Sequence, residues 1–318
     1  MPQIRRPRRG SLQFYPRKRA SKLLPSVNWA PVSKSISDKE QGLLGFIAYK
    51  AAMSTVLIKD ATPKVQSSGK QVATPATILE VPNAKIFSVR FYKNNSLIKE
   101  VVVSNDKELK RKLKVPKVLK PFDSQVPSDH DNVQVIIYSI SKQSEIKKTP
   151  DLLEVAIKAS DKLNYVKSIL NKELSFEDFV KVDLFDVRGV TIGRGLTGPV
   201  KRFGLGLKQH KSEKGVRRPG SLGPWHPARV TFRAPMAGQV GLFTRVIYNL
   251  RLLSKGKISE KNINPKGGFK NYGEIKSSFI IIKGSVQGPV KRPVVITAAF
   301  RPSKLQSKEK LEFIEVLN

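Results

Sequence analysis

The apolar positions of this chain recur mostly at the two-residue period of strands, in short runs bounded by Gly and Pro. Gly42 to Ile58 is the longest apolar stretch and reads as one or two buried strands, with Lys50 near its middle. Thr77-Ile78-Leu79-Glu80-Val81, a Pro82-Asn83 turn, and Phe87, Val89 and Phe91 alternating with Ser88 and Arg90 predict a hairpin with one buried face. Further strands are predicted at Val101-Val102-Val103, Val133 to Ile140, Val182 to Val187, Val246 to Leu252, Phe279 to Ile282 and Val294 to Phe300. Many short strands between Gly and Pro favour a barrel over a sandwich, a distinction that the pattern barely makes. No internal repeat is visible.

The texture changes between residues 97 and 180. Asn105 with Glu108 resembles a capping box opening a short Lys-rich helix. Thr149-Pro150-Asp151 has the order of a helix start, namely a capping hydroxyl, Pro at the first position and an acid in the first turn. Leu152, Leu153, Ala156, Ile157, Leu163, Val166, Ile169 and Leu170 then predict an apolar helical stripe, so this segment reads as an α/β insertion.

Between Gly193 and Gly241 the strand pattern stops altogether. Loops that long inside a compact domain are functional or held by a partner. From Arg188 to Arg233 there are eleven cations (Arg188, Arg194, Lys201, Arg202, Lys208, Lys211, Lys214, Arg217, Arg218, Arg229 and Arg233) and one acid, Glu213. Dense Gly allows backbone to approach phosphate, and Phe203, His210, Trp225 and His226 interleave rings able to stack on unpaired bases. Such a segment makes sense inside RNA.

Whole-chain composition sharpens that reading. The 318 residues carry 59 Lys and Arg against 25 Asp and Glu, a net charge of +34, which calls for a polyanion. Residues 1–24 hold eight cations (Arg5, Arg6, Arg8, Arg9, Arg17, Lys18, Arg19 and Lys22), no acid, and Pro2, Pro7 and Pro16. This arm is either a solvated tail or, as the charge favours, a segment that orders along a phosphate backbone. No apolar h-region follows the first cations, and Lys50 interrupts the one long apolar stretch, so neither a secretory signal nor a membrane span is expected. The length suits one large or two modest domains. The absence of Cys removes disulfides, thiolate metal sites and thiol nucleophiles, and fits a reducing cytoplasm.

Candidate chemistry is sparse. Gly193-Arg194-Gly195-Leu196-Thr197-Gly198 matches a dinucleotide fingerprint in letters, but Pro199, Gly204 and Gly206 are expected to spoil the helix it needs. No Walker A sequence occurs. His130, His210 and His226 have no nearby ligand partner. Asp183 and Asp186 fall on opposite strand faces and read as solvent-facing acids balancing local cations. An RNA-modifying enzyme would need a polar catalytic cluster, and a translation-factor-like module would normally bring a GTP-binding motif.

Several runs are more specific. Gly189-Val190-Thr191-Ile192-Gly193-Arg194-Gly195, Val200-Lys201-Arg202-Phe203-Gly204-Leu205-Gly206, Lys214-Gly215, Gly223-Pro224-Trp225-His226-Pro227-Ala228-Arg229-Val230 and Ala237-Gly238-Gln239 resemble the universal large-subunit ribosomal protein three family, of archaeal/eukaryotic type. Arg6 to Leu12, Ala48-Tyr49-Lys50-Ala51 with Met53, and Ala76-Thr77 through Pro82 extend the resemblance over most of the chain, whereas residues 95–173 match only loosely. Glu213 stands where the family often has a second His, and the ending at Asn318 favours the archaeal-length form.

The resemblance implies a mainly β fold with an α/β insertion, built on a six-stranded translation-protein-type barrel. It implies a basic arm at 1–40, barrel at 41–94, the insertion at 95–180, a barrel strand at 181–193, an rRNA-penetrating extension at 194–240 with Trp225 at its tip, and barrel again at 241–318. The implied role is that of a structural, non-enzymatic constituent of the cytoplasmic ribosome. It would bind the 3′-end domain of large-subunit rRNA and neighbouring large-subunit proteins, support assembly and send its loop toward the peptidyl transferase centre. The rRNA-binding residues would be Arg5, Arg6, Arg8, Arg9, Arg17, Lys18, Arg19, Arg194, Lys201, Arg202, Phe203, Lys208, His210, Lys211, Lys214, Arg217, Arg218, Trp225, His226 and Arg229. No cofactor, metal, small-molecule substrate or membrane is expected.

Overall fold

A computed structural model describes residues 9–37 and 40–317 of the chain. Arg5, Arg6 and Arg8 of the arm lie outside the described residues. The chain divides into two compact units, a larger one of Lys22–Gly189 with Arg245–Asn318 and a smaller one of Met1–Ser21 with Val190–Thr244. The fold is mainly β, in several sheets.

The larger unit opens with helix α1 (Trp29–Ser35), and its strands up to residue 189 are β1 (Gly42–Leu43), β2 (Gly45–Asp60), β3 (Gln71–Val81), β4 (Ala84–Lys93), β5 (Ser96–Val102), β6 (Asn132–Ser139), β7 (Leu152–Lys158) and β8 (Leu184–Val190). Between these lie α2 (Ser141–Ser144) and α3 (Lys162–Ile169). The smaller unit holds β9 (Gly195–Thr197), α4 (Pro199–Phe203) and β10 (Gly238–Val240). The chain then returns through β11 (Thr244–Lys257), β12 (Ser278–Lys283), β13 (Pro293–Ala298), α5 (Lys304–Lys308) and β14 (Leu311–Leu317).

One sheet runs β13-β8-β11-β12-β3-β2-β14, and β13 also pairs with β2. The sixteen-residue β2 makes this possible, because it pairs with β3 along one edge while β13 takes Gly45–Tyr49 and β14 takes Thr55–Asp60 along the other. A second antiparallel sheet runs β1-β7-β6-β4-β5. Phe46, Val89, Phe91, Val135, Val155, Phe185, Val187 and Val295 from both sheets, with Trp29 and Val32 of α1, form one continuous core. A Cβ built on Gly45 would lie 2.4 Å from the Trp29 ring, so the absence of a side chain there lets α1 lie flat on β2. Lys50 is buried, and its Nζ donates to the carbonyls of Val286 (2.6 Å) and Gly288 (3.1 Å), with its pKa lowered by that burial.

Four local expectations fail, each for an identifiable reason. The expected hairpin across Pro82-Asn83 does not form, because β3 pairs with β2 and β12 while β4 pairs with β5 and β6. The two residues carry the chain from one sheet into the other, so the second sheet begins at Ala84. The expected helix from Asp151 begins only at Lys162, where Asp161 caps the free N–H groups of Leu163 (2.9 Å) and Asn164 (3.1 Å). Leu152–Lys158 is instead a strand between β6 and β1, its apolar run fitting a buried sheet as well as a helical stripe. Asp151, expected in a first helical turn, is buried and accepts from the Tyr49 hydroxyl (2.8 Å) and from Lys147. Glu108 opens a single 3-10 turn at Leu109–Arg111 with no side-chain cap, while Asn105 Nδ2 reaches the Lys117 carbonyl (3.5 Å), so no capping box forms.

The acidic pair at the start of β8, Asp183 just before it and Asp186 on it, also differs from expectation. Asp183 is exposed and meets Arg251 at 3.4 Å, as a solvent-facing acid should. Asp186 is fully buried and accepts from the backbone N–H groups of Asn249 (3.0 Å) and Phe300 (2.9 Å), linking β8 to β11 and to the end of β13. Two donors that break the ladder, one of them at Asn249 with φ +57°, need an internal acceptor, and the carboxylate supplies it.

Candidate nucleic-acid interface

The smaller unit is built from local rules that differ from those of a core. Its frame is the antiparallel pairing of β9 with β10, in the register Gly195 to Val240, Leu196 to Gln239 and Thr197 to Gly238. Gly241 follows at φ +74°, where a Cβ would lie 1.9 Å from the Ile192 carbonyl, so this position admits only Gly. Pro199 does not spoil a helix as expected. It sits at the first position of α4, where its fixed φ helps and its missing N–H costs nothing, and Gly204 ends the helix at φ +65°. The fingerprint-like run at Gly193–Gly198 still has no βαβ unit, since β9 pairs only with antiparallel β10. From 204 to 237 the chain has turns and bends but no regular element.

Charge dominates this unit. Its sequence segments hold seventeen Lys and Arg and one acid, Glu213. The side chains of Arg194, Lys201, Lys208, Lys211, Lys214, Arg217, Arg218 and Arg229 are exposed, and among the described residues they form neither an ion pair nor a hydrogen bond. Elsewhere the protein pairs its acids, as in Lys93–Asp129, Arg90–Glu100 and Lys283–Glu309 of the larger unit. Eight such cations between residues 194 and 229, six of them on the irregular stretch, leave a strong positive field that suits an external polyanion.

The expected RNA-binding side chains fall into two groups. Lys18, Arg19, His210, Trp225 and His226 are exposed along with the eight free cations, and Trp225 is 87% exposed. Arg9, Arg17, Arg202 and Phe203 are occupied within the unit itself. Phe203 is only 7% exposed, with the Arg17 guanidinium 4.4 Å above its ring, so it does not offer the free stacking face expected of it. Arg9 donates to the Gly204 carbonyl, and a Cβ on Gly10 would lie 2.8 Å from the Phe203 ring. Arg202 donates to the carbonyls of Met236 (2.9 Å) and Gln239 (3.2 Å), and its pKa is lowered by burial and by nearby Arg17. These four hold the arm to the base of the extension. Arg188, counted with the loop cations, lies on β8 of the larger unit and donates to Thr297.

Two aromatic side chains escaped notice in the sequence. Tyr15 and Phe232 meet edge to face at 5.4 Å, and Phe232 remains 66% exposed. Only the company of Arg229 and Arg233 pointed to Phe232, because no periodicity exists there to mark it. His130 packs on Phe91 at 5.1 Å in the larger unit, which accounts for that His structurally. Among the described residues no group of three His, Cys, Asp or Glu is arranged to hold a metal, and no helix is long and apolar enough to cross a membrane.

Comparison with known proteins points the same way. The family model for ribosomal protein L3 matches residues 1–115 and 90–316 of this chain. The large ribosomal subunit protein uL3 of Methanococcus vannielii is 41% identical over 316 residues, covering 94% of this chain and 92% of that protein. Its counterparts in Methanocaldococcus jannaschii (41%, covering 95% and 93%) and Methanococcus aeolicus (40%, covering 93% and 92%) are similar over the same extent.

Proposed function

The chain belongs to the ribosomal protein L3 family, and from that premise we propose how its two units divide the work of binding large-subunit rRNA. As an archaeal-type member it is a structural constituent of the large ribosomal subunit, binds rRNA beside neighbouring ribosomal proteins in the cytoplasm, and is not an enzyme. Within that role the larger unit acts as the anchor and the smaller unit as the probe that enters folded RNA. One observation carries this division: eight exposed cations without partners among the described residues share a Gly-rich segment with an 87%-exposed Trp225. A protein with no RNA to enter has no use for such a surface.

In this reading the strands β13, β8, β11, β12, β3 and β2 form the six-stranded barrel of the translation-protein type. The second pairing of β13, with β2, supports it by making the strand order return on itself. The cationic first part of the arm (1–24) and the extension (194–240) penetrate the 3′-end domain of the rRNA, while the rest of the expected arm, with α1, belongs to the core of the larger unit, and Trp225 faces the peptidyl transferase centre. The interlock of Arg9, Arg17 and Phe203 supports treating arm and extension as one RNA-binding body. Binding both at once draws rRNA segments together and thereby supports subunit assembly.

The test is hydroxyl-radical footprinting of large subunits assembled with and without the protein, combined with crosslinking from position 225. Protection confined to the 3′-end domain, crosslinks near the peptidyl transferase centre and retention through a high-salt wash are expected. Release at high salt, or crosslinks confined to the subunit surface, would refute the reading.

A further inference from the structure

We infer that the extension carries a pocket for one unpaired purine base, floored by Pro199, Pro219, Leu222 and Met236 and rimmed by Arg217 and Arg218. This rests on the rRNA-binding role proposed above and goes beyond it by assigning a base-specific site apart from Trp225.

The hollow is open to solvent, has a volume of about 330 Å³, and its lining is overwhelmingly apolar. Leu207, Val230 and Phe232 are also exposed on this segment, but here Leu222 and Met236 share one hollow with Pro199 and Pro219. Leu222 is 40% exposed and Met236 45%, so in water the floor is unfavourably hydrated and gains by being covered. Pro199 at the start of α4 and Pro219 hold two walls in fixed backbone conformations, so the hollow exists before the ligand arrives. The Met thioether adapts to the face of a flat ring.

The occupant follows from floor and rim together. A phosphate would have to shed water against Leu222 and Met236 with nothing beneath it to replace that water, so the floor rejects an anion. A basic segment of a neighbouring protein would bring its cations against Arg217 and Arg218, which form no ion pair among the described residues. A nucleobase suits both parts, with apolar faces for the floor and a polar edge for the rim. A guanidinium donates two parallel hydrogen bonds to the N7 and O6 acceptors of guanine, and no pyrimidine offers that pair. A paired base keeps its faces stacked in the helix, so the base taken here is an unpaired one turned out of its strand.

Large subunits would be reconstituted with Leu222→Ala/Met236→Ala and, separately, with Arg217→Gln/Arg218→Gln, and the rRNA probed with base-specific reagents. Both proteins should incorporate. One purine protected by the natural protein should become reactive with each variant. The floor variant should also bind an isolated 3′-domain rRNA fragment about tenfold more weakly, the loss of roughly one base contact. Unchanged reactivity of every purine in both variants would overturn the inference, as would deprotection confined to pyrimidines. Failure of the floor variant to incorporate would overturn it too, by making Leu222 and Met236 part of the unit's own packing. Backbone protection by the natural protein is read in the same samples, and its absence would instead defeat the broader rRNA-binding proposal.

Discussion

The chain contains two tryptophans, and they should respond oppositely to truncation. Trp225 is 87% exposed in the smaller unit, whereas Trp29 is 6% exposed in the core of the larger. A tryptophan buries ~150–250 Å² when fully enclosed, so Trp225 buries on the order of 30 Å², worth less than about 1 kcal/mol at ~25 cal per Å². Trp225→Ala should leave the melting transition of the free protein within about 2 °C of the natural value. Trp29→Ala removes a ring packed hard against the backbone at Gly45 and should cost about 3–5 kcal/mol, or roughly 6–20 °C in a unit of this size. On RNA the order reverses. Trp225→Ala loses a stacking contact of ~1–3 kcal/mol and weakens binding about 5- to 150-fold. Each variant leaves a single tryptophan in a known environment, and the emission of Trp225 in Trp29→Ala suits the titration with RNA. Thermal melts followed by circular dichroism, titrations with rRNA fragments and peptidyl transfer by reconstituted subunits give three independent readouts. A lowered melt for Trp225→Ala together with undisturbed RNA binding and translation would mean that the ring serves the fold, and the functional role of the tip would be lost.

Other consequences are equally specific. If about eight of the free cations reach phosphate, log K for rRNA should fall against log salt with a slope of roughly −6 to −7, and a slope near ~−2 would contradict the charge argument. Asp186→Ala should strand the N–H groups of Asn249 and Phe300 in the core and cost about 2–5 kcal/mol in denaturant unfolding, while a loss under ~1 kcal/mol would show that these donors find other partners. Tyr92 has its pKa pushed up to about 12 by burial and then by its bond to Glu154, so the unfolded chain releases this proton first. Stability is therefore full below about pH 10 and falls as pH rises toward ~12. Tyr92→Phe should make that decline shallower in denaturant melts, and an identical decline would remove Tyr92 as a contributor.

Short apolar runs with local punctuation were legible as strands from the residues alone, as at β6, β12 and β13. Their partners were not. The Pro82-Asn83 step looks like a hairpin turn, because nothing in eleven residues of β3 reveals that β12, some two hundred positions away, is its neighbour. The strand at Leu152–Lys158 carries an apolar run that satisfies both periods, and the sheet position between β6 and β1 decides between them. The candidate interface was legible as composition, seventeen cations against one acid. The division of labour inside it was hidden. Whether Phe203 meets RNA or Arg17 depends on a contact between segments that no local pattern records. Asp186 was misread for a similar reason, because its two donors come from residues 249 and 300.

The lock between arm and extension also sets an order of events during synthesis. Arg9 meets its acceptor at Gly204, 195 residues later in the chain. At ~5–20 residues per second, the arm waits on the order of 10–40 s after emergence for its platform to be made. Throughout that interval its cations are uncommitted, beside a machine made of the same polyanion it will bind. Arg9 therefore gains its carbonyl partner only after residue 204 has appeared, so the arm and the extension come together late in synthesis and the lock is not available to the first half of the chain.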